Sequence, residues 1–119
     1  MAQILTVEDD ENSRLIVRDL LEDLGYEIIE AWSGPDGVRA AEAHQPALIL
    51  MDVQLPGFDG FEAIRRIQSN PDLRHIPIVV VTSYAMHADA ARAREAGCRY
   101  ISKPFQATVL LDAIRDCLP

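Results

Sequence analysis

One apolar run limits what this chain can fold into. Residues Ala47–Met51 are continuously apolar, prolines lie close on either side at Pro46 and Pro56, and the run ends in one carboxylate, Asp52. A run of this length predicts a strand buried on both faces, as in the parallel sheets of α/β proteins. Open α/β sheets bind ligands at the carboxyl ends of their strands. The sequence therefore predicts that Asp52 lies at a ligand-binding edge.

Strand-like runs alternate with helical patterns five times along the chain. The predicted strands are Gln3–Val7, Tyr26–Ala31, Ala47–Met51, Ile78–Thr82 and Arg99–Ser102. The predicted helices are Glu11–Leu24, Pro35–His44, Phe58–Ser69, Ala85–Ala96 and Ala107–Leu118. Repeated βα units with right-handed crossovers predict a parallel sheet with helices on both faces. We expect the α/β, (βα)5 flavodoxin-like fold, with its five strands in the order 2-1-3-4-5.

The helical patterns also predict caps and buried faces. Asp10 and Ser33 are placed to cap the first and second helices. Trp32 is expected to pack under the second helix. The first helix is predicted to turn four apolar side chains inward: Ile16, Leu20, Leu21 and Leu24.

Composition limits the class of protein. A length of 119 residues with 49% hydrophobic content predicts one globular domain over residues 1–119. No apolar run approaches the roughly 18–20 residues of a membrane span, and no signal peptide is evident. Cys98 and Cys117 are expected to be reduced thiols, so we expect a cytoplasmic protein. The net charge of -8 argues against direct nucleic-acid binding.

Acidic side chains follow two strands that the predicted order makes neighbours. Glu8 and Asp9 follow the first strand and Asp52 follows the third, so the three carboxylates should converge and favour a bound cation. Mg²⁺, or Mn²⁺, prefers such oxygen ligands. We expect Asp9 and Asp52 to coordinate it directly, the backbone carbonyl of Gln54 to add a third oxygen, and Glu8 to hold a metal-bound water. Asp10 is left to cap the helix.

The same edge has the groups that a phosphoryl acceptor needs. A carboxylate can form an acyl phosphate, and Asp52 on the central strand is the candidate. Lys103, after the fifth strand, can reach a phosphate oxygen as a point charge. Thr82, at the end of the fourth strand, can donate a hydroxyl hydrogen bond. The Lys103-Pro104 bond is either cis, which would redirect Lys103, or an ordinary trans turn.

These segments, in this order and spacing, resemble the receiver domains of two-component response regulators (the CheY-like superfamily), and the resemblance covers the whole chain. The matching segments are Glu8-Asp9, Leu50-Met51-Asp52, Pro56-Gly57, Asp59-Gly60, Val81-Thr82-Ser83 and Ser102-Lys103-Pro104-Phe105. A narrower likeness, through Ser83-Tyr84-Ala85-Met86, Ala96-Gly97-Cys98 and the segment from Tyr100 to Pro104, is to the single-domain cell-cycle regulators of alphaproteobacteria.

The resemblance implies a mechanism. A histidine kinase or phosphotransfer protein would phosphorylate Asp52 in the presence of Mg²⁺, with Glu8 and Asp9 as the metal-binding acidic pair. Lys103 would be the phosphate partner, Thr82 the switch hydroxyl, and Tyr100 an aromatic that rotates inward. Gln54 and Tyr84 would flank the phosphoryl group. The face made by the fourth helix, fifth strand and fifth helix would then bind a downstream protein, with the chain a monomer or a phosphorylation-linked homodimer.

Other functions stay open at this point. An aspartyl-nucleophile phosphatase of the haloacid-dehalogenase kind wants a second Asp two residues after the nucleophile, and this chain has Gln54 there. We therefore expect a phosphoacceptor and no turnover enzyme. The chain could instead be a receiver cut from a hybrid kinase or a transcription factor, or a docking module that ignores phosphate.

Overall fold

The computed structural model describes residues 2–82 and 87–118, except the side chains of residues 82, 87 and 88. The strands are β1 Gln3–Val7, β2 Glu27–Ala31, β3 Leu48–Met51, β4 Ile78–Thr82 and β5 Arg99–Ser102. The helices are α1 Glu11–Glu22, α2 Gly34–His44, α3 Gly60–Gln68, α4 His87–Glu95 and α5 Ala107–Cys117. The residues predicted to open the fourth helix, Ala85 and Met86, lie outside the described part of the chain.

The five strands form one sheet in the order β2-β1-β3-β4-β5, and all neighbouring pairs are parallel. This confirms the predicted fold class and strand order. Val7 lies beside Ala31 on one side and Met51 on the other, and Thr82 lies beside Ser102. The ends of β1, β3, β4 and β5 therefore meet at one edge of the sheet.

Strand β3 is buried on both faces, as its unbroken apolar run predicted. Its side chains alternate between two core clusters. Leu48 and Leu50 face the cluster that α1 and α5 cover, while Ile49 and Met51 face the cluster under α2, α3 and α4. Because successive side chains of a strand point to opposite faces, an apolar residue at every position requires a layer of helices on each side.

Side-chain caps mark the starts of α1, α2 and α3. The side chains of Asp10 and Ser33 accept hydrogen bonds from backbone N–H groups in the first turns of α1 and α2, as predicted. Asp59 does the same for α3, accepting from the N–H of Glu62 at 2.9 Å. The third helix therefore begins at Gly60, and its predicted start at Phe58 was wrong.

The sequence overestimated how much of α1 is buried. Leu21 is fully buried, but Ile16 is 64% exposed. The helix ends at Glu22, so its predicted end at Leu24 was wrong, and Leu24 lies beyond the helix at 49% exposure. Trp32 is also exposed, at 59%, and the guanidinium of Arg14 stacks over its ring at 4.7 Å from the centroid. The predicted packing of Trp32 under the second helix is wrong, since a cation–π contact on the surface accounts for the ring.

Cys98 and Cys117 are free thiols. In the described part of the chain, no helix has both the length and the apolar character needed to cross a membrane.

Two leucines predicted to share one buried face should differ sharply on truncation. We expect Leu21→Ala to lower the free energy of unfolding by about 2–5 kcal/mol, because it leaves a cavity in the core. The matched Leu24→Ala change should cost under about 0.5 kcal/mol, because that side chain is half exposed. Urea unfolding followed by circular dichroism measures both. Equal losses would show that the core does not close around Leu21.

Candidate functional site

The sheet places three chemically active side chains at one edge. Glu8 directly follows β1, Asp52 follows β3, and Lys103 follows β5. Two backbone bonds extend the ladder past the strands: the N–H of Asp52 donates to the carbonyl of Val7 at 3.0 Å, and that of Glu8 to the carbonyl of Ala31 at 3.0 Å. The carboxylates are therefore fixed by the backbone of the sheet.

The three predicted acids converge. One carboxylate oxygen from each of Glu8, Asp9 and Asp52 lies within 4.8 Å of the others. Glu8 and Asp52 are buried, whereas Asp9 is exposed. A set of hard oxygen donors partly open to solvent suits Mg²⁺, which takes one or two carboxylates and keeps several waters. The residues present fit the predicted ion.

Gln54 lies next to this cluster, and its backbone N–H donates to Oδ1 of Asp52 at 3.3 Å. This bond orients the Asp52 carboxylate from the β3–α3 loop. Coordination by the carbonyl oxygen of Gln54 stays a prediction.

Lys103 binds two of the acids. Its Nζ forms an ion pair with Oε1 of Glu8 and lies 3.5 Å from Oδ2 of Asp52. The peptide bond between Lys103 and Pro104 is cis. Sequence reasoning gave Glu8 to the metal and Lys103 to the phosphate as separate roles. It did not predict that the two side chains pair with each other.

Burial sets the protonation of the pair. It is the main reason that the pKa of Glu8 rises from 4.5 to about 7; Asp52 adds to the rise, and Lys103 opposes it. For Lys103 burial acts to lower the pKa, but the hydrogen bond to Glu8 and the charges of both acids outweigh it, and the pKa lies above its usual value. The ammonium therefore stays charged at neutral pH, beside a carboxyl that titrates there.

A second layer of contacts orders the loop after β1. The Asp10 carboxylate accepts from both the backbone N–H and the hydroxyl of Ser13, each at 2.9 Å. The bonds from Ser13 hold the pKa of Asp10 below its usual value. Arg14 donates to the backbone carbonyl of Glu8 at 2.9 Å. Sequence reasoning missed Arg14, although its place one turn into α1 puts it within reach of the preceding loop.

Where α3 begins beside Asp52, close packing of the backbone depends on a glycine. A Cβ built on Gly60 would lie 2.0 Å from the backbone oxygen of Asp52, and the N–H of Gly60 donates to the carbonyl of Val53 at 2.8 Å. The first turn of α3 therefore lies directly against the candidate phosphoacceptor. The sequence flagged Asp59-Gly60 as a motif, and the structure supplies the reason for each residue.

The remaining predicted residues occupy β4 and β5. Thr82 ends β4 opposite Ser102, which is the expected edge, while its hydroxyl and Tyr84 lie outside the described atoms. Tyr100 is partly buried against the core cluster under α4. Burial raises the pKa of Tyr100, and the negative charge of Asp89 on α4 adds to the rise. The proposed rotation of Tyr100 stays a prediction.

The chain matches a known protein family and a characterised relative. Residues 4–115 match the family described as the response regulator receiver domain. The chain is 41% identical over 116 residues to the polar-differentiation response regulator DivK of Brucella ovis, covering 97% of this chain and 94% of that protein.

Two solved structures are similar to this chain over almost its whole length. The receiver domain of the sensor histidine kinase PA1611 from Pseudomonas aeruginosa, which has a magnesium ion coordinated in its active site cleft, superposes with a TM-score of 0.88 at 33% identity, covering 97% of this chain and 95% of that one. The chemotaxis response regulator CheY4 of Vibrio cholerae gives a TM-score of 0.91 at 27% identity, covering 99% of each chain.

Gly60→Ala tests the backbone contact at Asp52. We expect a loss of more than about 2 kcal/mol of unfolding free energy, since the added methyl group meets a backbone oxygen that cannot move aside. The control is Gly97→Ala. Its Cβ would meet nothing within 4 Å, and only its positive φ of 77° is unfavourable, at about 1–2 kcal/mol. Urea unfolding compares them, and a smaller loss for Gly60→Ala would contradict the steric argument.

The pKa of Glu8 predicts how stability depends on pH. Between the unfolded value of 4.5 and the folded value of about 7, the folded state holds the proton more tightly. Stability from this group therefore falls as pH rises through that window. In metal-free buffer we expect wild type to lose on the order of 1–3 kcal/mol relative to Glu8→Gln between pH 5 and pH 8.

Urea midpoints at both pH values measure this difference, with exposed Glu42→Gln as the matched control. A Glu8→Gln protein that follows the wild-type pH dependence would show that the Glu8 carboxyl is ionised throughout the range.

Proposed function

Since the chain belongs to the response regulator receiver family, we propose that it accepts a phosphoryl group on Asp52 from a histidine kinase or phosphotransfer protein, in the presence of Mg²⁺. The observation that carries this proposal is the meeting of Glu8, Asp9 and Asp52 with the ammonium of Lys103 at one sheet edge. Acids alone would suggest a cation site. Acids together with a lysine suggest a site that handles phosphate.

Asp9 and Asp52 would hold Mg²⁺, with the carbonyl of Gln54 as a further ligand and Glu8 contacting it through water. When bound, the ion neutralises the charge that three carboxylates and a phosphoryl group bring together. The PA1611 receiver, which holds magnesium in its active site cleft, supports this assignment.

Asp52 would act as the nucleophile. One of its oxygens forms a bond to phosphorus while the P–N bond of the donor phosphohistidine breaks, and the electron pair stays on the imidazole nitrogen. The Gln54 N–H holds one Asp52 oxygen, Oδ1, and Lys103 lies against the other. Lys103 then offers its charge to the transferred oxygens. Thr82, at the neighbouring strand end, donates its hydroxyl to the same group.

The output would be binding of a downstream protein on the face formed by α4, β5 and α5. On the described part of α4, Ala93 is buried and Arg92 stacks on the Phe61 ring at 4.0 Å from its centroid. Burial, and then the negative charge of Asp89 on α4, raise the pKa of Tyr100 on β5. Phosphorylation would shift the packing of these elements through Thr82 and Tyr100. α1 and the loops around the acids would receive the kinase.

The remaining assignments follow from these roles. The relative from Brucella ovis is named a polar-differentiation response regulator. We propose that this chain is a cytoplasmic regulator of that kind, a monomer or a phosphorylation-linked homodimer. It binds no nucleic acid itself. It is no turnover enzyme, because Gln54 stands where an aspartyl phosphatase of the haloacid-dehalogenase kind needs its acid.

Intact-protein mass spectrometry after incubation with acetyl phosphate or phosphoramidate tests the acceptor. We expect wild type to gain one phosphoryl group only when Mg²⁺ is present, and Asp52→Asn to gain none. The control is Asp112→Asn, an exposed change on α5, which should be phosphorylated like wild type. Lys103→Ala should lose most of the gain, since no ammonium then faces the phosphoryl oxygens. Circular dichroism of the same sample checks that the variant is folded.

Phosphorylation that persists in Asp52→Asn would place the acceptor elsewhere. If wild type gains no mass, the same assay with a phosphorylated histidine kinase decides whether the chain requires a protein donor. Failure with both donors would favour a docking module that ignores phosphate.

A further inference from the structure

An exposed tryptophan lies beside the loop that carries two of the acids. Trp32 directly follows β2 and is 59% exposed. Its neighbour Ala31 is fixed, because the carbonyl of Ala31 accepts from the N–H of Glu8 at 3.0 Å. The guanidinium of Arg14 on α1 stacks over the indole ring at 4.7 Å from the centroid. Since the core does not hold this ring, its contact with Arg14 needs another explanation.

Arg14 binds the backbone of the acidic loop. Its Nη1 donates to the carbonyl oxygen of Glu8 at 2.9 Å. Among the residues that the structure describes, Arg14 forms no ion pair, whereas Arg18, one turn further along α1, pairs with Glu30. Arg14 therefore connects the loop after β1 to Trp32 in the loop after β2.

This connection restricts the backbone of Asp9. The carbonyl of Glu8 belongs to the peptide plane before Asp9, and Arg14 holds it. The N–H of Asp10 belongs to the plane after Asp9, and it donates to Oε2 of Glu8 at 3.3 Å. Because peptide units are planar, holding both planes restricts the two backbone dihedrals of Asp9. The direction in which its side chain leaves the backbone is restricted with them.

We propose that Arg14, held by its stack on Trp32, is a positioning residue that orients Asp9 within the acidic cluster. Asp9 is the exposed member of that cluster, so it lacks the burial that restrains Glu8 and Asp52. The role rests on the proposed function, in which Asp9 holds Mg²⁺ directly. Arg14 acts on the ion only through the backbone of the loop.

Charge and position predict opposite effects of Arg14 on the metal. Removing a positive charge beside an anionic site should strengthen the binding of a cation. Releasing the backbone of Asp9 should weaken it, because the ligand must then be ordered when the ion binds. Weaker Mg²⁺ binding by Arg14→Gln therefore identifies the positioning role, and tighter binding identifies an effect of charge alone.

Backbone amide NMR measures the loop in metal-free buffer and the metal in a Mg²⁺ titration without a phosphodonor. In metal-free buffer we expect lower order parameters for the amides of Asp9 and Asp10 in Arg14→Gln than in wild type. In the titration, Arg14→Gln should bind Mg²⁺ about 2- to 10-fold more weakly, the worth of one hydrogen bond. Arg14→Lys keeps a donor but loses the planar stack, so its affinity should lie between the two.

Arg18→Gln is the matched control. Residues four apart lie on one face of a helix, so this change removes the same charge nearby and breaks the ion pair with Glu30. It leaves the loop contacts intact, and Mg²⁺ binding should be unchanged or slightly tighter. Trp32→Ala should weaken Mg²⁺ binding about 2- to 5-fold in the wild-type chain. Combined with Arg14→Gln it should add nothing, because the ring acts through Arg14.

Equal or tighter Mg²⁺ binding by Arg14→Gln would overturn the proposal, and so would an equal loss in Arg18→Gln. A Trp32→Ala effect that persists in the Arg14→Gln chain would also overturn it. If wild type binds no Mg²⁺, the proposed function fails. In that case lowered order parameters in Arg14→Gln still support the positioning of Asp9, and unchanged ones overturn it too.

Discussion

The ion pair between Lys103 and Glu8 is the interaction on which the edge of the sheet depends. Three carboxyl groups meet there, two of them buried, and an isolated buried carboxylate is costly. Lys103 offsets that cost from the far strand β5, reaching Glu8 beyond β1 and Asp52 beyond β3. The raised pKa of Glu8 shows that the compensation is incomplete. The site therefore retains an attraction for a further cation.

The backbone around the site holds the three carboxyl groups in place despite their mutual repulsion. Strand β3 is anchored by apolar side chains on both faces, so Asp52 leaves the sheet at a fixed point. Gly60 lets the first turn of α3 approach its backbone, and Asp59 caps that turn. On the β1 side, Asp10 and Arg14 hold the loop through Ser13 and the carbonyl of Glu8. Rigid surroundings keep the carboxylates together despite their repulsion.

The sequence could predict this architecture because its strongest signals are local. The apolar run before Asp52, the five βα repeats and the caps at Asp10 and Ser33 all depend on neighbouring residues, and connection rules then gave the strand order. The wrong or missing predictions concern how much of a helix is buried and how far a long side chain reaches. Periodicity located the inner face of α1 but could not show that Ile16 is mostly exposed or that the helix ends before Leu24. It could not foresee the Lys103–Glu8 pair either, because residue spacing does not say how far a long side chain extends.

One ammonium serving two acids also couples the site to the rest of the sheet. Lys103 follows directly on β5, the strand that holds Tyr100 against the core under α4. A new anionic group on Asp52 would draw the Lys103 charge toward itself and away from Glu8, because that group offers more negative charge than the half-titrated Glu8 carboxyl. The acids and the packing of α4 against β5 therefore lie at the two ends of one short strand. A shift of Lys103 on phosphorylation would be transmitted along that strand toward Tyr100.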